Sequence, residues 1–130
     1  MHRGPVAEIN LSALSHNLKT VRKVVRDRPV IAVVKADAYG HGAIEVSKRL
    51  LKEGASYLAV AFSSEASALR SAGIRGPIIV LFDRDGIHDF FDLQLIPVVY
   101  SIDTARALSE EAKKRKTAIK IHVKVDTGMG

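Results

Sequence analysis

The chain has 130 residues, 47% of them apolar and 26% charged, with a formal net charge of +6 and no cysteine. That is one domain's worth of material with a modest core, and it excludes a disulfide framework, thiol catalysis and Cys-ligated zinc. No apolar run approaches the roughly 20 residues of a membrane span, and Met1-His2-Arg3-Gly4-Pro5 leads into no signal-peptide core, so a cytoplasmic protein without a membrane partner is expected.

Val6 to Asn10 reads as a short strand, with Ser12 as the cap of a following helix. Leu11, Leu14, Leu18, Val21 and Val25 recur at helical spacing and stop before Pro29. Val30 to Val34 is a continuous apolar run, which suits a strand buried on both faces of a parallel sheet. It ends on Lys35, and Gly40 and Gly42 then open a βα loop. A helix from about Ala43 has Ile44, Ser47, Leu50 and Leu51 facing inward and Gly54 as its stop. Tyr57 to Phe62 is a second strand, and Ser63 and Ser64 offer caps to a helix with Ala66, Leu69 and Ala72 on one face. A third strand runs from Ile78 to Phe82. The acidic segment Asp83 to Leu93 holds a short helix with Ile87, Phe90 and Phe91 inward. Ile96 to Tyr100 is a fourth strand, Ser101 caps a helix bearing Ile102, Ala105, Leu108 and Ala112, and Ala118 to Val125 is a fifth strand.

Five alternations of strand and helix without a linker predict a parallel α/β sheet. Pattern alone leaves a barrel and a doubly wound open sheet both possible. In either fold, chemistry gathers at the carboxyl ends of the strands, which is where Lys35 stands. The basic residues are spread along helices. Their densest cluster, Lys113-Lys114-Arg115-Lys116, falls in the last turn of a predicted helix, where cations complement the dipole. With few aromatics and no recognition motif, no nucleic-acid partner is expected.

The string Ala32-Val33-Val34-Lys35-Ala36-Asp37-Ala38-Tyr39-Gly40-His41-Gly42-Ala43 closely resembles the cofactor-lysine signature of alanine racemases. Ala7 to Leu18 resembles the start of the same family, and His122 to Gly130 resembles a further signature of it. The resemblance implies a partial (β/α)8 TIM-type barrel of about five βα units, with residues 1–10 belonging to a carboxyl-terminal domain outside this sequence. It implies that Lys35 forms a Schiff base with pyridoxal 5′-phosphate (PLP) and acts as the base on the D-alanine face of the substrate. Tyr39 matches the tyrosine that contacts the cofactor phosphate. Lys124 matches a position carbamylated in some members, and Met129 lies in a motif that approaches the active site. The family's second base is a tyrosine from the partner subunit of a homodimer, and the arginine that follows the last glycine of the third signature is not in this sequence. The parental activity so implied is racemisation of L- and D-alanine, supplying D-alanine to the cell wall. This chain alone is expected to have little activity.

Plainer readings stand beside these. A strand-end lysine can snorkel without chemistry, and Tyr39 can pack on a loop rim. Glu45 occupies the third-glycine position of a dinucleotide fingerprint, Gln94 holds the place of a calcium-loop glutamate, and His88 with Asp92 is half a metal site without partners. The remaining alternatives are a related barrel racemase or decarboxylase, a non-catalytic PLP-binding barrel protein, and a self-associating structural fragment.

Overall fold

The computed structural model describes residues 4–26 and 28–129. In chain order the elements are α1 (Leu11–Val25), β1 (Ile31–Val33), α2 (Lys35–Gly40), α3 (Ala43–Lys52), β2 (Tyr57–Val60) and α4 (Ser63–Ser71). β3 (Ile78–Val80), α5 (Ile87–Asp92), β4 (Ile96–Val99), α6 (Ile102–Lys114) and β5 (His122–Val123) follow. The five strands pair in parallel, in the spatial order β1-β2-β3-β4-β5. A doubly wound sheet reverses its strand order at a switch point. Here each strand lies beside the previous one, as successive strands of a barrel do, in keeping with the partial (β/α)8 barrel that the resemblance implies.

Register separates the two faces of the arc. Ile31 pairs with Tyr57, Val33 with Ala59, Ala59 with Ile79, Ile79 with Ile96, and Val98 with His122, so these residues share the inner face. On the outer face Val34, Leu58, Val60, Ile78, Val80 and Val99 form one buried cluster with Leu50, Ala66, Leu69, Phe90 and Leu108 of the helices. Each Val, Leu, Ile or Phe among them contributes about 1.5–3 kcal/mol on burial, so the helix–sheet layer is the main source of stability. The inner face is buried at Ala59 and Ile79 in the middle of the sheet but open along the edge strand β1, and the expectation that the first strand is buried on both faces is corrected: Ile31 and Val33 remain 45% and 43% exposed.

Other differences have local causes. Residues 5–10 form no strand and are exposed, because no neighbouring strand supplies a ladder. Asn10, not Ser12, caps α1, its Oδ1 accepting the N–H groups of Ser12 and Ala13 at 3.0 Å each. Val46 replaces Ile44 on the buried face of α3, beside Ser47 and Leu50. Ser63 is the first residue of α4 and not its cap; its hydroxyl and N–H both donate to Asp83 Oδ2. Ile102 stays exposed, and Glu111 is buried on α6 instead. β5 is limited to two exposed residues, far shorter than the sequence pattern suggested.

Asp83 also accepts the N–H groups of Asp85 and Gly86, closing the turn before α5. The acidic segment is therefore a built tie between β3, α4 and α5 and not a solvated turn. Burial pushes the Asp83 carboxyl up, but the Ser63 hydroxyl and the N–H groups of Ser63, Asp85 and Gly86 together hold it below its ordinary value. A depressed folded-state value means stabilisation that is complete above the unfolded carboxyl pKa of about 3.9 and is lost as pH falls through the lower folded value. Asp83→Asn is expected to lower stability at neutral pH and to flatten the acid limb of the stability–pH curve, measured by denaturant midpoints; an unchanged limb would contradict it.

Candidate functional site

The sheet bond from the Val34 N–H to the Ala59 carbonyl, at 2.8 Å, is the last that β1 makes before Lys35. The backbone then turns in an unusual way. Ala36, Asp37, Ala38 and Tyr39 have φ between 50° and 57° and ψ between 36° and 51°, one turn of left-handed helix. For L-residues this conformation costs roughly 1–2 kcal/mol each, and such strain persists only where surrounding bonds over-determine it. Within the segment Ala38 N–H donates to Val34 O at 3.0 Å and Gly42 N–H to Asp37 O at 2.9 Å. His41 Nδ1 lies 2.9 Å from Ala38 O. Asp37 Oδ1 accepts the Ala43 N–H at 2.7 Å, so the turn caps α3. Gly40 and Gly42 follow at φ +83° and +87°, where any other residue would be strained.

A further anchor comes from another element. Glu65, in the first turn of α4, accepts the Ala36 N–H on Oε1 at 2.6 Å. Its other oxygen accepts the N–H groups of Ala61 and Phe62 at 2.7 and 3.0 Å. Sequence reasoning missed Glu65. An acidic residue in the first turn of a helix signals a cap, but nothing local signals a bond to a backbone 29 residues upstream.

Lys35 is half-buried, and two-residue periodicity puts it on the inner face with Ile31 and Val33. Its Nζ lies 5.3 Å from the centre of the Phe82 ring, just past β3. Among the described residues no carboxylate forms an ion pair with it. Tyr39, on the same turn, is 61% exposed. Around the arc the Arg84 guanidinium lies 5.0 Å over the Tyr100 ring, and the Tyr57 and His122 rings meet edge to face at 6.4 Å. Lys124 follows β5, at the other end of the sheet from Lys35, and its N–H continues the ladder to Val99 O at 2.9 Å. Met129 is fully exposed. The structure thus gathers Lys35 and Tyr39 on one turn and leaves Lys124 and Met129 apart from it.

His88 and Asp92 serve a different purpose. His88 Nδ1 lies 3.1 Å from Glu111 Oε1, Asp92 receives Arg115 Nη1, and Arg115 Nε donates to Glu111 at 2.6 Å. Arg115 also stacks 5.1 Å over Phe91. The Arg115 guanidinium and then His88 hold the Glu111 carboxyl below its ordinary value against the effect of burial. These side chains fasten α5 to α6.

The family described as "Alanine racemase, N-terminal domain" matches residues 9–130. The alanine racemase of Thermodesulfovibrio yellowstonii is 50% identical over 134 residues, covering 100% of this chain and 37% of that protein. That of Clostridium tetani is 46% identical, covering 99% and 34%. Among solved structures, alanine racemase from Clostridium difficile 630 superposes with a TM-score of 0.87 at 41% identity, over 93% of this chain and 34% of that one. Alanine racemase from the D-cycloserine producer Streptomyces lavendulae gives 0.88 at 29% identity, over 98% and 35%. The chain therefore spans about a third of the length of the relatives it matches.

Proposed function

Because the chain belongs to the alanine racemase family, matching its amino-terminal domain, we propose that it is the lysine-bearing part of an enzyme that interconverts L- and D-alanine with PLP. The observation that carries this reading is Lys35: a half-buried amine without a carboxylate partner among the described residues, at the carboxyl end of β1, followed at once by a strained turn. Backbone strain of this kind concentrates at functional sites.

The residues present fit the cofactor. An unpaired amine suits its aldehyde, and the exposed phenol of Tyr39 is a donor for its phosphate. Bound PLP supplies an electron sink that lets the substrate α-proton leave. Lys35 would hold the cofactor through its amine and, when free of it, would take and return the α-proton on the D-alanine face of the substrate. The Phe82 ring lies beside that nitrogen, 5.3 Å from it, and bounds the space the amine occupies. Tyr39 Oη orients the phosphate. Racemisation needs a second base on the opposite face of the substrate, and we assign it to the partner subunit of a homodimer of the whole protein. A cytoplasmic enzyme feeding D-alanine to the cell wall is the setting this reading implies, and among the described residues no helix is long and apolar enough to cross a membrane.

The test is to mix the purified chain with PLP, record the visible absorbance, reduce with borohydride and map the labelled peptides. A label concentrated on Lys35 is expected, with racemase turnover of the chain alone near background. Label spread over surface lysines such as Lys48 and Lys52 in proportion to their exposure would overturn the assignment of Lys35.

A further inference from the structure

We propose that Glu65 is the positioning residue for Lys35, its carboxylate clamping the left-handed turn so that the amine is presented at the mouth of the sheet. One carboxylate here accepts three backbone N–H groups: Ala36 on Oε1, and Ala61 and Phe62 on Oε2. Bonds from N–H groups to an ionised acceptor are about twice as strong as neutral ones. Two of the three, at Ala61 and Phe62, do what any carboxylate in the first turn of a helix can do for its own amino terminus. The bond to Ala36 is not needed for capping α4. It reaches across to the residue that directly follows Lys35 and is the first of the four at positive φ.

The other bonds of the turn are made within residues 34–43, including the one from Ala43 to Asp37. They shape the turn but do not fix it to the sheet's neighbours. Glu65 does, because α4 is anchored through buried Ala66 and Leu69 in the main core. The clamp thus transmits a fixed position from the helix layer to the Lys35 backbone. Its effect on chemistry rests on Lys35 being the reacting amine, as proposed above; the clamp itself does not.

Glu65→Gln is the discriminating variant, since it keeps the volume and leaves one acceptor oxygen. That oxygen is expected to stay with the two donors at Ala61 and Phe62, turning the amide NH2 toward the Ala36 N–H. Measured by NMR, amide exchange at Ala36 is expected to accelerate about tenfold or more, the scale of losing one charge-assisted hydrogen bond, with Ala61 and Phe62 much less affected. The ring-current shift that Phe82 imposes on the Lys35 ε-methylene is expected to shrink. In the double variant Glu65→Gln with Ala36→Gly, that shift is expected to recover, because glycine holds positive φ without a clamp.

The PLP label on Lys35, taken as a ratio to label on exposed Lys48, should fall and recover in step. An unchanged Ala36 exchange rate and an unchanged Lys35 shift in Glu65→Gln would overturn the proposal, as would a lost shift that Ala36→Gly does not restore. Exchange and ring-current shift need no cofactor, so they judge the clamp even if the wild-type chain takes no label on Lys35, a result that would instead sink the functional reading.

Discussion

Lys35→Met is expected to remove essentially all of the site-specific PLP label while costing the fold little. The side chain is half-buried, and its Nζ meets the Phe82 ring at 5.3 Å. A cation–π contact of that kind contributes about 0.5–1 kcal/mol at an exposed site, and methionine retains much of the apolar stem. Chemistry and stability should therefore separate: the denaturant midpoint stays close to wild type, and borohydride-trapped label drops to the level of ordinary surface lysines. Lys35→Arg sharpens the argument. It keeps the charge and the ring contact but offers no free amine, because a guanidinium stays protonated throughout the accessible pH range. Loss of label in both variants identifies the amine as the reacting group. Label retained in the arginine variant would show that another lysine carries the cofactor.

The path from sequence to this site was legible in parts, and the divisions have physical causes. Periodicity located every strand core, since apolar runs such as Ile78-Ile79-Val80 have to be buried wherever the sheet puts them. Fold type needed more, because alternation of strand and helix is common to open sheets and barrels; the unreversed strand order and the likeness to solved alanine racemases settle it. Burial of β1 was overread. A continuous apolar run predicts two covered faces only when the sheet is closed or layered on both sides, and here Ile31 and Val33 face the open side of the arc.

At the site, the position of Lys35 followed from Val30 to Val34, whereas the turn after it did not. Ala36 and Ala38 are good right-handed helix formers, so local propensity points away from the observed φ values near +50°. Asp37 is tolerant of that region and Gly40 and Gly42 prefer it, a hint of an irregular turn but not of its hand. What stabilises it includes a tertiary bond to Glu65, and such bonds leave no trace in local patterning. Arg115 repeats the lesson. With its cationic neighbours it is expected to complement the dipole at the helix end, and it does stand at the end of α6, but it also reaches back over Phe91 between Asp92 and Glu111, contacts that local patterning does not signal.

Arg70 is where the fold should be most vulnerable to a single polar change. Its Nη1 donates to the carbonyls of Ile74 and Gly76 at 2.8 Å each, its Nε to Leu93 at 2.9 Å and its Nη2 to Gln94 at 3.2 Å. Leu93 and Gln94 end α5, and Ile74 and Gly76 lead into β3, so one guanidinium joins two connections by satisfying carbonyls that their own segments leave open. Burial lowers the Arg70 pKa, with Arg75 adding to the effect, but an arginine keeps its proton at any pH the fold survives.

Four bonds at about 1 kcal/mol net each, discounted because water reaches part of the site, make Arg70→Met worth a loss of about 3 kcal/mol. For a chain of this size that is a fall in Tm of roughly 10 °C. Methionine is the informative replacement because it keeps apolar contact for the stem, so the loss reports the carbonyl bonds. Arg70→Lys should recover only part of it: an ammonium on one flexible stem cannot reach carbonyls on both sides of the guanidinium plane at once. A calorimetric scan in which the lysine variant matches wild type would mean that charge near the end of α5, and not the forked geometry, is what Arg70 contributes.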